Sequence, residues 1–509
     1  MKLKFVFSLF MAGGSLGVFA QTHQEGVEYY KADQFNNALE LLERNYNNPG
    51  TDKAVANYYL GLLSIRQQDL AGAKKYFEQG VAINPDYAYN YIGLGSLELK
   101  NGNVKEAETD FKKAEKLNKK DAAVWVAIAR AYYESSSEGA TIYEKQIANA
   151  LKNARRRNMY EPEIFIYEGD VAYDHDDRNS AASKYEMATT YNPKAADAYV
   201  KYAKLYTKFN PDFAISMLKK LLENNPNSAL GQRELAEAYY NKEDYKSAAE
   251  QYSKYINNPS HFKSDENRYL LLLFHGGKYQ EGYEYSSKLL AENPDNFTAR
   301  RFQLMNAAQL DPMKDQLLGL AEEVYRRHMA DPKNNAIAIV DYNLISSELR
   351  FAKRYEEATE VLKEGIIEFP ENVDFYRQLA FIPLEQNKYD EAADAYMLYI
   401  SKTDRASYND LIQTALLCYY AGVLNNDETQ KAKAEEYVRN SIVYAEKAAV
   451  ADPDNYRPYK VLGDAKAYLA PEADKATAGK ADYEKALSLI DQEKNASDFA
   501  EIQKALGVK

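Results

Sequence analysis

Cysteine occurs once in this 509-residue chain, tryptophan once and histidine five times. A lone thiol makes no internal disulfide, so the fold must hold by packing. Cys418 lies in an apolar helical stretch, Thr414–Ala421, and reads as a buried structural thiol. Proline (15) and glycine (23) are both scarce, which argues against an all-β chain dense in turns. There is no excess of positive charge. Lys and Arg number 64 against 76 Asp and Glu, a balance of −12 that opposes nucleic-acid binding. Past residue 20 the longest apolar runs are Tyr269–Phe274 and Ala415–Leu424, both too short to span a bilayer. Hydrophobic residues at 46% exclude a disordered chain. The length exceeds the roughly 250–300 residues at which single cores stop growing. The chain therefore holds several domains or a fold that grows in one dimension.

Residues 1–20 read as a secretory signal. Lys2 and Lys4 precede the apolar Phe5–Met11, Gly13-Gly14 breaks the segment, and Val18-Phe19-Ala20 suits cleavage before Gln21. No cysteine lies nearby to carry a lipid. The expectation is an exported chain, soluble after cleavage, in the periplasm or associated with the envelope.

What the sequence does contain is a repeat. Asn-Pro or Asp-Pro closes segment after segment, with gaps of 33, 33 and 35 residues from Pro193 through Pro226 and Pro259 to Pro294. Upstream of the prolines one frame recurs: Ala73-x3-Phe77-x7-Pro85, Ala181-x3-Tyr185-x2-Ala188-x4-Pro193, Ala358-x3-Leu362-x7-Pro370. A small residue sits twelve positions before most of these alanines, as at Gly61 and Gly95. Apolar positions at helical spacing make each unit two amphipathic helices. Such a unit cannot bury its face alone, so neighbours must stack.

Tyr91, Leu94, Gly95, Ala107, Phe111 and Ala114, followed by Trp125, Ile128, Ala129 and Tyr132, resemble the tetratricopeptide repeat (TPR) family over nearly all of the chain after residue 20. The resemblance implies an all-α fold: a right-handed α-solenoid of about 13 TPR-like helix pairs with a C-terminal capping helix. The small first-helix residue falls near 26, 61, 95, 129, 169, 203, 236, 270, 308, 346, 380, 414 and 463. Most of the 45 tyrosines then fill packing slots, among them Tyr91, Tyr185, Tyr199, Tyr252, Tyr376, Tyr396 and Tyr459.

The period breaks in four places. Ser135–Thr141 (SSSEGAT) lengthens one turn. Units between Leu270 and Ser346 average 38 residues, and Thr414 to Gly463 spans 49, with a long helix from about 428 to 450. Leu469–Lys480 expands a late turn. The expected organisation is a signal at 1–20, the N-terminal and central repeat units over 21–404, irregular C-terminal units over 405–494 and a cap over 495–509. Pro383 falls inside the helix Phe375–Gln386 and should kink it or end its first half.

No HExxH, paired Cys-x-x-Cys or phosphate-cradling glycine loop occurs. Asp174-His175-Asp176-Asp177 reads as a polar turn, and Arg155-Arg156-Arg157 as a helix end complementing the dipole. Neither a metal nor a cofactor is expected. The family resemblance implies a concave groove lined by the first helices. Carried onto this chain, its slots hold Tyr58, Arg66, Tyr89, Arg130, Tyr133, Lys204, Lys208, Arg233, Tyr240, Asn343, Arg350, Arg377 and Lys460. Arginine pairs bidentately with carboxylates and tyrosine offers rigid contact area, which suits an extended or acidic peptide. Lys460 holds the lysine slot of the co-chaperone carboxylate clamp, but Asp464 stands where that clamp has asparagine, so the clamp is not expected. The function read from the sequence is a non-enzymatic scaffold of the bacterial periplasm or envelope that binds partner proteins. The alternative is a periplasmic chaperone or assembly factor for exported or outer-membrane proteins. An enzyme is disfavoured because the repeats leave no room for a catalytic domain.

Overall fold

A computed structural model describes residues 21–136, 142–424 and 428–507. The expected signal at 1–20, most of the SSSEGAT loop and part of the polar loop Asn425–Gln430 lie outside the described residues. Among those described, every regular element is a helix and no strand forms.

Thirteen helix pairs follow one another from His23–Lys31 with Phe35–Asn45 to Tyr456–Leu469 with Lys480–Leu489, and a last helix, Ala496–Ala505, closes the series. The chain is thus an all-α solenoid of repeated helix pairs. Local chemistry sets the boundaries. Asp52, Asp69, Asp121, Asp177 and Asp244 accept hydrogen bonds from backbone N–H groups of the first turn that follows each, which have no partner inside the helix. Inside many pairs the turn places one residue in the left-handed region: Asp33, Gln68, Gly102, Asp176, Glu243, Gly277, Lys353 and Asn387 all have φ between +57° and +80°. Glycine occupies only two of these eight positions, so the turn is set by the flanking helices at some conformational cost.

The recurring small residue has a steric cause. A Cβ on Gly61 would lie 2.3 Å from the Phe77 ring, and one on Gly95 2.4 Å from the Phe111 ring. The aromatic sixteen positions downstream lies flat against the bare backbone, and both rings are sealed from water. Tyr185 fills the same slot against Gly169 and Tyr483 against Gly463. Tyr91, Tyr199, Tyr252 and Tyr396 are buried as the slot assignment expects, while Tyr376 and Tyr459 are half-buried. Cys418 is fully buried.

The irregular stretches keep the pairing. Tyr408–Val423 pairs with the 21-residue helix Lys431–Ala451, and the late turn accommodates the short helix Lys475–Ala478. Pro383 sits in the last turn of Asp374–Glu385, and the helix ends two residues beyond it. Only Ile502 of the final helix is buried, which leaves the outer face of the cap polar. The chain divides into two compact units, Met1–Gly282 and Tyr283–Lys509. The boundary expected from spacing, at 404/405, falls inside the second unit. No described helix is long and apolar enough to cross a membrane.

Candidate functional site

In the first unit the first helices carry most of the expected groove residues, and the arginines and tyrosines among them are engaged with the protein itself. Tyr58 is buried, edge-on to Tyr59 at 5.0 Å and to Tyr89 at 5.4 Å, and Tyr89 stacks on Tyr87 at 5.3 Å. The Arg66 guanidinium lies 4.0 Å from the Phe35 ring centroid and pairs with Glu134 at 3.1 Å. Arg130 pairs with Asp170 at 2.8 Å, and the Tyr133 hydroxyl donates to Asp174 at 3.1 Å. Arg233 donates to Asp265 at 2.7 Å. Tyr240 carries the Arg268 guanidinium 3.8 Å from its ring centroid, and Arg268 is itself paired with Glu237 at 2.9 Å. Lys204 and Lys208 are exposed, with no ion pair among the described residues.

A second set of contacts, which no local pattern announces, adds to these. The first helix pair, His23–Lys31 and Phe35–Asn45, lies against the fifth to seventh pairs of the same unit and the turn that follows them. Lys31 pairs with Glu163, and Gln34 donates to Glu234. Ser228 and Asn225 donate to Glu28 at 2.8 and 3.2 Å. Tyr29 meets Phe262 edge-on at 5.3 Å, and Arg44 donates to the His261 carbonyl at 3.0 Å. At the centre, Asp170 accepts from Arg130 (2.8 Å), Lys201 (2.8 Å) and the Tyr185 hydroxyl (2.9 Å), and Lys201 also reaches Asp33 at 3.0 Å. Burial pushes the Asp170 carboxyl upward, but Arg130 and then Lys201 outweigh it and hold the group below its ordinary range. The first unit's inner face is therefore filled by its own beginning.

In the second unit the residues lie differently. Asn343 accepts from Gln378 at 2.8 Å. Arg350 pairs with Glu385 at 2.7 Å and lies between the Phe351 and Phe381 rings, at 5.1 and 5.9 Å. Lys460 is neutralised by Asp464 (3.1 Å) and by Glu501 of the cap (3.0 Å), and Tyr483 donates to Asp464 at 2.8 Å. Arg377 is held more loosely: its side chain is 43% exposed, its nearest paired carboxylate, Asp374, is 3.9 Å away, and it also hydrogen-bonds the buried Tyr399. Aromatic side chains accompany it on successive first helices. Phe351 is 69% exposed and Tyr420 42%, with Tyr389 and Tyr419 packed on Tyr420 at 5.8 Å. Tyr468 is 38% exposed.

The carboxylates were not singled out from the sequence. Their signal is one of period: Asp170 follows Arg130 by 40 residues, Asp265 follows Arg233 by 32 and Glu385 follows Arg350 by 35, one repeat on in each case. The polar run 174–177 is also occupied locally. Asp174 accepts from Tyr133 and Asp177 caps the next helix through Ser180.

Two family profiles, both described as tetratricopeptide repeat, match residues 64–131 and 210–261. No curated protein matches the chain. Among solved structures, yeast Tom70 is 16% identical, with 95% of this chain and 94% of that chain covered and a TM-score of 0.30. PilF of Pseudomonas aeruginosa is 19% identical over 43% of this chain and 97% of its own, with a TM-score of 0.29. The thermophilic TPR protein TTC0263 of Thermus thermophilus is 21% identical over 37% and 99%, with a TM-score of 0.27. The chain carries tetratricopeptide repeats, and repeats of this kind serve as protein–protein interaction scaffolds.

Proposed function

We propose that this chain is a non-enzymatic scaffold of the bacterial envelope that holds a partner polypeptide along the first helices of its second unit. The observation that supports this reading is the contrast between the first helices of the two units. In the first unit the arginines and tyrosines are spent on internal pairs. In the second, Arg377, Phe351, Tyr420 and Tyr468 stay accessible on successive helices, a combination of cation and rigid aromatic area that suits peptide contact. The signal-like segment at 1–20 supports export and an envelope setting.

The test is in-cell cross-linking followed by affinity purification and mass spectrometry, with wild type beside an Arg377→Ala/Tyr420→Ala variant. These two positions avoid the ion pairs of Arg130, Arg233 and Arg350, whose removal would perturb the fold itself. One stoichiometric partner, lost in the variant, is the expected result. A broad set of unfolded exported clients would replace the scaffold with a chaperone. A dominant partner retained at full yield would move the contact off this face. Fractionation that leaves the chain in the cytoplasm would refute the envelope setting.

A further inference from the structure

We infer that the second-helix face of the third to fifth pairs is a docking surface for an acidic, amphipathic polypeptide segment. The helices are Val104–Leu117, Glu144–Arg157 and Arg178–Tyr191. Together with their closing turns, residues 104–120, 144–160 and 178–194 carry fourteen Lys and Arg against six Asp and Glu, a net +8 within a chain of −12. The three stretches form one surface. Arg157 donates to the Lys119 carbonyl at 2.6 Å, and Glu168 joins Arg155 on one side to Lys184, at 2.9 Å, on the other.

A dipole-complementing helix end explains only part of this charge. That effect acts within the last turn, where Arg155, Arg156 and Arg157 lie. It gives no reason for Lys145 in the first turn or Lys152 in the middle. Arg157 is also committed elsewhere, its guanidinium 4.2 Å from the Trp125 ring centroid. Lys152 and Arg156 are exposed, with no ion pair among the described residues.

Between these cations a shallow, open apolar hollow runs along the outer face of Glu144–Arg157, lined by Ala148, Leu151 and Met159 and by the stems of Lys152, Arg155 and Arg156. Met159 is 59% exposed at its edge. Apolar side chains of a partner helix can lie along this strip, and the cations around it suit carboxylates on the same partner helix. An anionic lipid surface would satisfy the charge but offers no side chain for the hollow. This surface lies on different helices from the inner face, and the inference does not depend on the reading of Arg377 and Tyr420.

The test uses the full chain and a fluorescein-labelled synthetic helix of glutamates with leucines at i, i+3, i+4 and i+7. Fluorescence anisotropy is read at physiological salt, and Trp125 emission verifies folding. Binding should weaken about tenfold or more in Lys152→Glu/Arg156→Glu, and severalfold in Met159→Ser. It should weaken similarly when the peptide's leucines become serines. Absence of binding overturns the inference, as does equal binding by the double variant. Equal affinity for the serine peptide would reduce the surface to unspecific polyanion attraction. Sedimentation with phosphatidylglycerol vesicles in place of peptide binding would assign it to lipid.

Discussion

Removing Asp170 should unfold the first unit selectively. Its carboxylate takes three donors, two of them cations, and Lys201 is only 7% exposed. Asp170→Ala leaves Arg130 and Lys201 without their shared counter-charge, though Lys201 keeps Asp33 at 3.0 Å. Stripping one partner from a buried pair costs about 3–5 kcal/mol. With a urea slope of about 2–3 kcal/mol/M, the midpoint should fall by roughly 1–2.5 M. The assay is built into the chain, because its single tryptophan, Trp125, lies in the first unit, on the same helix as Arg130. Its emission follows this unit without interference from the other. Asp86→Ala, at an exposed carboxylate, is the control and should shift stability by less than about 0.5 kcal/mol. The pH dependence carries a sign. Asp170 is depressed in the folded state, so its contribution is full above the unfolded carboxyl pKa of about 3.9 and fades as pH falls through the folded value. The gap between wild type and Asp170→Ala should therefore narrow only in acid below about pH 4. Equal midpoints for Asp170→Ala and Asp86→Ala would refute the idea that this network holds the unit closed.

Three further outcomes follow from the packing. Gly95→Ala places a Cβ 2.4 Å from the Phe111 ring and should cost about 1–3 kcal/mol by Trp125-monitored denaturation, with part recovered by adding Phe111→Leu. Gly102 has φ +80° and open space around it, so Gly102→Ala should cost about 1 kcal/mol through backbone strain alone, whereas Gln68→Gly at φ +64° should gain a similar amount in the same assay. Burial, with a smaller push from Asp394, raises the Cys418 thiol to about 12, so a disulfide reagent should find no reactive thiol in the native chain at about pH 8 and one equivalent in denaturant.

The fold was legible because its determinants are local and repeated. Gly61 and Phe77, or Gly95 and Phe111, stand sixteen residues apart, and each contact is made within one helix pair. The long helix after residue 428 was readable for the same reason, whereas the helix at Pro383 runs on to Glu385. The groove was not legible. Arg66, Arg130 and Arg233 lie on the first helices that the family resemblance singled out, but their partners lie a repeat or more away. Period alone gives no warning that Glu28 meets Ser228 or that Lys31 meets Glu163. Charged residues on a helix face read the same in one dimension whether they await a ligand or a distant part of their own chain. Aligning the carboxylates by repeat would have exposed the Arg130–Asp170 and Arg350–Glu385 pairs, but not the docking of the first helix pair.

That docking also imposes an order on biogenesis. Each helix pair can form as soon as its own residues and a neighbour are available, whereas Glu28 must wait for Ser228, 200 residues later, and Lys31 for Glu163, 132 later. At about 5–20 residues per second, the span from Glu28 to Ser228 takes roughly 10–40 s to synthesise. Throughout that interval the nascent first pair presents Glu28 and Tyr29 without their final partners, Ser228 and Phe262. Whatever attends the emerging chain meets that surface first, and closure of the first unit dates the end of its vulnerability.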